Sequence, residues 1–224
     1  LYDRPFAGYL YFEKTKEKYF ENGEYTKKGW AAEIIGDFSL GEATQIGYHR
    51  LLDFRKPLGW DSQIENIYGV AYIWENSPFY KNWNLSENTD LDLRFVDELH
   101  LGNVMLYGKI SGLLRYGNIN NPYEFKEKKN GKKLLNMDEY YLTIGSIITA
   151  KVHDSTLQGD IFNNESVFTT DIYPLVWDNK AGFYARWDDF AFYYDLIMES
   201  TDKRNLDWTD NSFRYHTLKF IFFR

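Results

Sequence analysis

Residues 103–116 read NVMLYGKISGLLRY. The even positions are Val104, Leu106, Gly108, Ile110, Gly112, Leu114 and Tyr116, while the odd positions include Asn103, Tyr107, Lys109, Ser111 and Arg115. Side chains along a strand alternate between faces, so one face here is apolar and the other mostly polar and charged. The run is long enough to cross a bilayer when tilted. Residues 140–152 repeat the pattern, with Leu142, Ile144, Ile148, Ala150 and Val152 on one face and Tyr141, Thr143, Thr149 and Lys151 on the other. Comparable aromatic-rich runs cover residues 5–15, 26–38, 65–74, 91–100, 166–177, 182–198 and 212–223, about nine strands in all. Alternation alone does not separate a lipid-facing barrel from a soluble sandwich or barrel whose apolar face points inward.

Composition narrows the choice. Aromatics make up 19% of the 224 residues, with Tyr 19, Phe 17 and Trp 7, as in a barrel with aromatic girdles at two membrane interfaces. The net charge of −7 argues against a general nucleic-acid binder. Without cysteine there is no disulfide framework and no thiolate metal site. No apolar run reaches the length of a transmembrane helix, which leaves transmembrane strands open. No fixed-period repeat, low-complexity tract or linker divides the chain, so residues 1–224 are expected to form one domain. Residue 1 is Leu, and nothing resembles a signal peptide, so we expect a processed or trimmed chain.

Turn-rich stretches separate the runs. NINNP at 118–122 and the pair Asn163 and Asn164 read as turns. The segment KEKKNGKK, residues 126–133, places lysines around Asn130-Gly131 and fits a solvated hairpin tip better than a phosphate site.

One stretch breaks the strand pattern. Residues 39–63, SLGEATQIGYHRLLDFRKPLGWDSQ, read as a short helix at about 41–55 followed by a turn. Gln45 and His49 lie four apart and therefore share a helix face. A histidine titrates near neutral pH, and a glutamine amide can hold an oxygen or a water beside it. Glu42 and Asp61 flank the pair and carry the oxygen chemistry that a hard cation prefers. Either could equally cap the helix or pin a turn.

Residues 3–11, DRPFAGYLY, resemble the DRPYAGWLY signature of the outer-membrane lipid A 3′-O-deacylase (LpxR) family. Leu40-Gly41-Glu42, Gln45-x-x-x-His49 and Gly59-Trp60-Asp61-x-Gln63 follow in that family's order. Leu101-Gly102-Asn103, Arg115-Tyr116-Gly117, Leu157-Gln158-Gly159 and the final strand with His216 continue the match along essentially the whole chain. The resemblance implies a twelve-stranded antiparallel β-barrel in the outer membrane of a Gram-negative bacterium, expected to be monomeric, with lipid A or lipopolysaccharide as its partner. It implies a calcium-dependent esterase that removes the 3′-acyloxyacyl chain of lipid A, by chemistry similar to a secreted phospholipase A2. A histidine takes a proton from water while Ca²⁺ polarises the ester carbonyl. By position, His49 is the base and Gln45 orients a ligand or water. Glu42 and Asp61 are then candidate Ca²⁺ ligands or acids that orient His49 through its second ring nitrogen.

Two departures stand out. Six residues after the histidine, where the family pattern leads us to expect a carboxylate, this chain has Arg55, and the nearest acid is Asp53. The chain also begins at the signature, whereas family members carry an Asn-Asp pair and a Thr or Ser on a preceding strand. We therefore expect an N-terminally truncated chain, catalytically incomplete as given. Asp3 and Arg4, and the histidines His100, His153 and His216, are read as structural. No Gly-x-Ser-x-Gly or HExxH occurs, so an esterase triad and a zinc site are not supported. Two alternatives remain open: a non-catalytic barrel with a surface or binding role, and an outer-membrane phospholipase using Ser39 or Ser62 with His49.

Overall fold

The period-two runs fold as antiparallel strands, each hydrogen-bonded to the next in chain order. The computed structural model describes residues 5–120, 139–163, 165–166, 168–187, 190–200 and 212–222. Among these, one nine-stranded sheet runs β1 (Tyr9–Tyr19), β2 (Tyr25–Ile35), β3 (Ile67–Ser86), β4 (Thr89–Gly102), β5 (Met105–Asn118), β6 (Glu139–Asp154), β7 (Leu175–Trp187), β8 (Phe190–Ser200) and β9 (Ser212–Phe222). No described helix is long and apolar enough to cross a membrane. The 126–133 lysine segment, Asp3, Arg4 and Asn164 lie outside the described residues.

The burial pattern decides which way the apolar face points. On β1, β5 and β6 it is the apolar side chains that are open: Phe12 is 73% exposed, Ile144 65% and Val152 69%. The opposite face is closed and polar, with Glu33, Asp92, Arg94, His100, Thr143 and Arg186 all buried. A soluble β fold does the reverse, so this sheet is built to meet lipid on its outer face. Buried charges need partners, and the inner face supplies several, while Arg94 lies over the Tyr25 and Tyr80 rings. Arg115 grips Asp92 through two hydrogen bonds, Nε to Oδ1 at 2.9 Å and a second to Oδ2. Lys27 lies 3.0 Å from Glu13, and the Tyr107 hydroxyl donates to Glu98 at 2.8 Å. Tyr9 O–H donates to Glu33 Oε1 at 2.6 Å, and His100 Nε2 lies 3.0 Å from that same oxygen.

Several strand boundaries differ from the sequence reading: β1 is shifted to Tyr9–Tyr19, and three further differences have a visible cause. β3 runs on past Trp74 to Ser86, because a bulge in its pairing with β4 between Asn76 and Phe79 takes up Ser77-Pro78, which otherwise looks like a stop. The run read over 166–177 is mostly loop. Pro174 has no N–H for a ladder and instead accepts from Lys151 N at 2.9 Å, so β7 starts only at Leu175. The run read as one strand over 182–198 is two: β7 ends at Trp187 and β8 begins at Phe190. Aromatic residues on both sides of Asp188-Asp189 made the run read as one strand. The helix also ends early, at Leu51 rather than near residue 55, for a reason given below.

A cation on the outer face should be costly in lipid. Ile144→Lys is expected to destabilise the inserted barrel by about 2–4 kcal/mol if the site is near mid-bilayer. Urea unfolding in lipid vesicles measures this, and an unchanged midpoint would mean that this face does not meet lipid.

Candidate active site

The loop between β2 and β3 is anchored where glycines let backbones touch. Gly36 N donates to Gly8 O at 3.1 Å, and a Cβ built on Gly8 would stand 2.0 Å from Ser39 Oγ and 3.0 Å from Gly41 Cα. The 3-10 turn Asp37–Ser39 therefore lies directly on the segment leading into β1. Ser39 Oγ donates to Gly36 O at 2.6 Å and accepts from Gly41 N at 3.3 Å, which starts α1 (Gly41–Leu51). Glu42 in its first turn and His49 and Arg50 in its last complement the helix dipole.

The second anchor is aromatic. Ile64 N donates to Phe6 O at 2.8 Å, and the Phe6 and Trp60 rings meet edge-on with centroids 5.1 Å apart. Trp60 Nε1–H then donates to Gln45 Oε1 at 2.8 Å. Gln45 thus uses its oxygen to hold α1 to the 3-10 turn Trp60–Ser62, and Trp60 is the partner that sequence spacing did not reveal. Underneath, Ile35, Ile64, Ile67 and Val104 form a small apolar core against Ala7, Tyr9 and Met105. In the Leu101-Gly102-Asn103 element, Asn103 accepts from Val70 N and donates to Tyr68 O, both at 3.0 Å, extending the ladder by a side chain. Leu157-Gln158-Gly159 lies in a short helix, α2 (Ser155–Gln158), tied down by Ser155 N to Val104 O at 2.9 Å and Asp154 N to Gln158 Oε1 at 3.1 Å.

Asp53 explains both the end of α1 and the setting of His49. Its φ of 55° is left-handed, a conformation that Asp tolerates better than most residues. The chain reverses there, Phe54 N donates to His49 O at 2.8 Å, and Arg55 O swings back to within 2.6 Å of His49 Nδ1. A carbonyl only accepts, so Nδ1 carries a hydrogen, and in the ring's neutral form the lone pair is at Nε2. The orienting group is therefore a main-chain carbonyl, which resolves the apparent misfit of an arginine at position 55. The Phe54 ring meets the imidazole edge-on at 5.8 Å.

Glu42 and Asp61 are not gathered with a third ligand. Among the described residues, no group of three or more His, Asp or Glu side chains could hold a metal ion. A calcium site built on three such side chains is therefore not assembled among the described residues. Ser39 is buried and committed to its turn, which disfavours it as a nucleophile. His100 pairs with Glu33, His153 Nε2 lies 2.9 Å from Ser155 Oγ, and His216 Nδ1 lies 2.6 Å from the Tyr194 hydroxyl.

Between α1 and the start of β1 runs an open groove of about 940 Å³. Phe6, Tyr9, Leu10, Gln45, Tyr48 and Trp60 line it, with Met105 and Thr156 from the far loops. Its apolar lining suits an acyl chain. Met105 and Thr156 were not among the sequence candidates; their only signal was proximity to the Leu101-Gly102-Asn103 and Leu157-Gln158-Gly159 motifs.

A family model described as outer membrane protein LpxR matches residues 1–218. Among solved structures, LpxR from Salmonella typhimurium superposes with a TM-score of 0.80 at 21% identity, covering 99% of this chain and 75% of that one. At that identity the likeness speaks to the fold. A comparison with curated protein sequences found no match.

The glycine contact gives a test of the docking. Gly8→Ala must push Ser39 or Gly41 away, with an expected cost of about 1–3 kcal/mol. Trypsin cleavage after Arg50 and Arg55 should accelerate in the variant. Unchanged cleavage would mean that the loop is not held by this contact.

Proposed function

This chain belongs to the outer membrane protein LpxR family, and we propose that it is a lipid A deacylase-like esterase of the outer membrane with His49 as general base. The observation that carries the proposal is the 2.6 Å bond from His49 Nδ1 to Arg55 O, which leaves Nε2 as the acceptor. Family membership supports lipid A as the substrate, and the apolar groove beside α1 supports an acyl group as the part recognised.

In this reading Nε2 takes a proton from a water as its oxygen attacks the ester carbonyl carbon. The tetrahedral intermediate then breaks the carbon–oxygen bond to the leaving alcohol, and the imidazolium returns the proton to that oxygen. The products are a free fatty acid and a lipid A hydroxyl, with no covalent enzyme intermediate. Gln45 acts through position, fixing α1 against Trp60; Gln45 and Tyr48 of the same helix line the groove, and His49 follows Tyr48 in the chain. Calcium, implied by the family resemblance, would supply charge stabilisation at the carbonyl oxygen. Glu42 and Asp61 are the carboxylates of the loop that would hold it.

Mass spectrometry of lipid A from cells expressing the protein should show loss of the 3′-acyloxyacyl group. His49→Ala should lower that loss by about 10²–10⁴-fold while leaving the barrel inserted. Wild-type activity in the variant contradicts the base assignment. Unmodified lipid A around a correctly inserted wild-type barrel favours a binding role instead. Repeating the assay with added calcium and with chelator decides whether the ion is required.

A further inference from the structure

The segment that closes over His49 exposes more apolar surface than a water-facing loop would. Leu51 and Leu58 are 81% and 80% exposed, and Tyr48, Leu52 and Phe54 are also open. These are large side chains on one short segment, held in a fixed shape by the Asp53 reversal and by the Tyr48–Phe54 ring contact at 6.3 Å. Interleaved with them are Arg50, Arg55 and Lys56, none of them buried and none in an ion pair among the described residues. Asp53 is the only acid in residues 50–56, so the segment is net cationic in a chain whose overall charge is −7. Apolar anchors mixed with unpaired cations are the composition of a segment lying in a membrane interface, with the apolar groups in the acyl boundary and the cations at anionic headgroups.

Position supports the same partner. Tyr48 lines the groove together with Leu10, which is on the open, lipid-directed face of β1. On the other side of the loop, Phe38 packs on the outward Tyr68 of β3 with centroids 6.3 Å apart. The exposed apolar surface of the loop is therefore continuous with the barrel's lipid-facing belt.

We propose that residues 48–58 form a membrane-seated foot, with Leu51, Phe54 and Leu58 in the acyl boundary and Arg50, Arg55 and Lys56 on the phosphates of anionic lipid headgroups. The foot keeps the imidazole at the lipid surface, because the carbonyl that orients His49 belongs to it. The inference needs only the outer-membrane placement and stands or falls independently of the ester chemistry.

The chain has no cysteine, so single labels can be placed cleanly. Leu51→Cys and Leu58→Cys would each carry an environment-sensitive fluorophore, with Asn22→Cys, at the opposite end of the sheet, as a water-facing reference. The full chain is inserted into vesicles of phosphatidylethanolamine and phosphatidylglycerol, with and without a lipid bearing a nitroxide close to its headgroup. Both leucine labels should be blue-shifted relative to the reference. They should also be quenched severalfold more by the lipid nitroxide, and less by aqueous iodide. Replacing Arg50, Arg55 and Lys56 together by Gln, or phosphatidylglycerol by phosphatidylcholine, should reduce the lipid quenching, whereas inorganic phosphate in solution should not. Iodide access equal to that of the reference label overturns the proposal. So does shielding from iodide without lipid quenching, which would indicate a protein neighbour or a second copy.

Discussion

The constraint on which this structure rests is that a sheet with lipid on one side must keep its polar side chains on the other. Water is not there to satisfy a charge or a free amide on the outer face, so the strands pair continuously and present Phe12, Ile144 and Val152 outward. The inner face then has to accommodate Asp92, Glu33, Arg94 and His100 at low dielectric. It does so by cross-strand pairs such as Arg115–Asp92 and His100–Glu33, each joining residues from different strands. Removing one partner would leave the other buried and unpaired, which costs more than the pair contributes. The polar interior thus reinforces the register that the apolar exterior imposes.

That rigid wall is what the β2–β3 loop is fastened to. Gly8 and Gly41 let two backbones come together, Phe6 braces Trp60, and Trp60 holds Gln45. None of these residues performs chemistry in the mechanism proposed, yet each fixes the height and rotation of α1. The left-handed Asp53 then brings a carbonyl to the one ring nitrogen that must not be the base. A carbonyl orients the imidazole without adding a formal negative charge beside it, whereas a carboxylate would favour the protonated ring.

Strand periodicity was legible in residues 103–116 and 140–152 because lipid selects one face of each strand so strongly. It failed where local chemistry misleads. Ser77-Pro78 resembles a turn but sits in a bulge, and the aromatic residues flanking Asp188-Asp189 drew attention from the break between two paired strands. The family motifs led to His49 and Gln45, and helical spacing placed them on one face. What no side-chain pattern could reveal is a partner made of backbone, the Arg55 carbonyl at His49 Nδ1. Gln45 gains a second partner for a related reason: its oxygen accepts from Trp60, fifteen residues away in sequence, a pairing that only the fold creates.

The state of the His49 ring tests the central claim most directly. Nitrogen-15 NMR of the full protein in lipid, with histidine labelled and His49→Gln used for assignment, reports which ring nitrogen carries hydrogen at neutral pH. The account predicts hydrogen on Nδ1 and an unprotonated Nε2. Hydrogen on Nε2, with Nδ1 as the acceptor, would contradict it, because the nitrogen facing the substrate could not then take a proton from water.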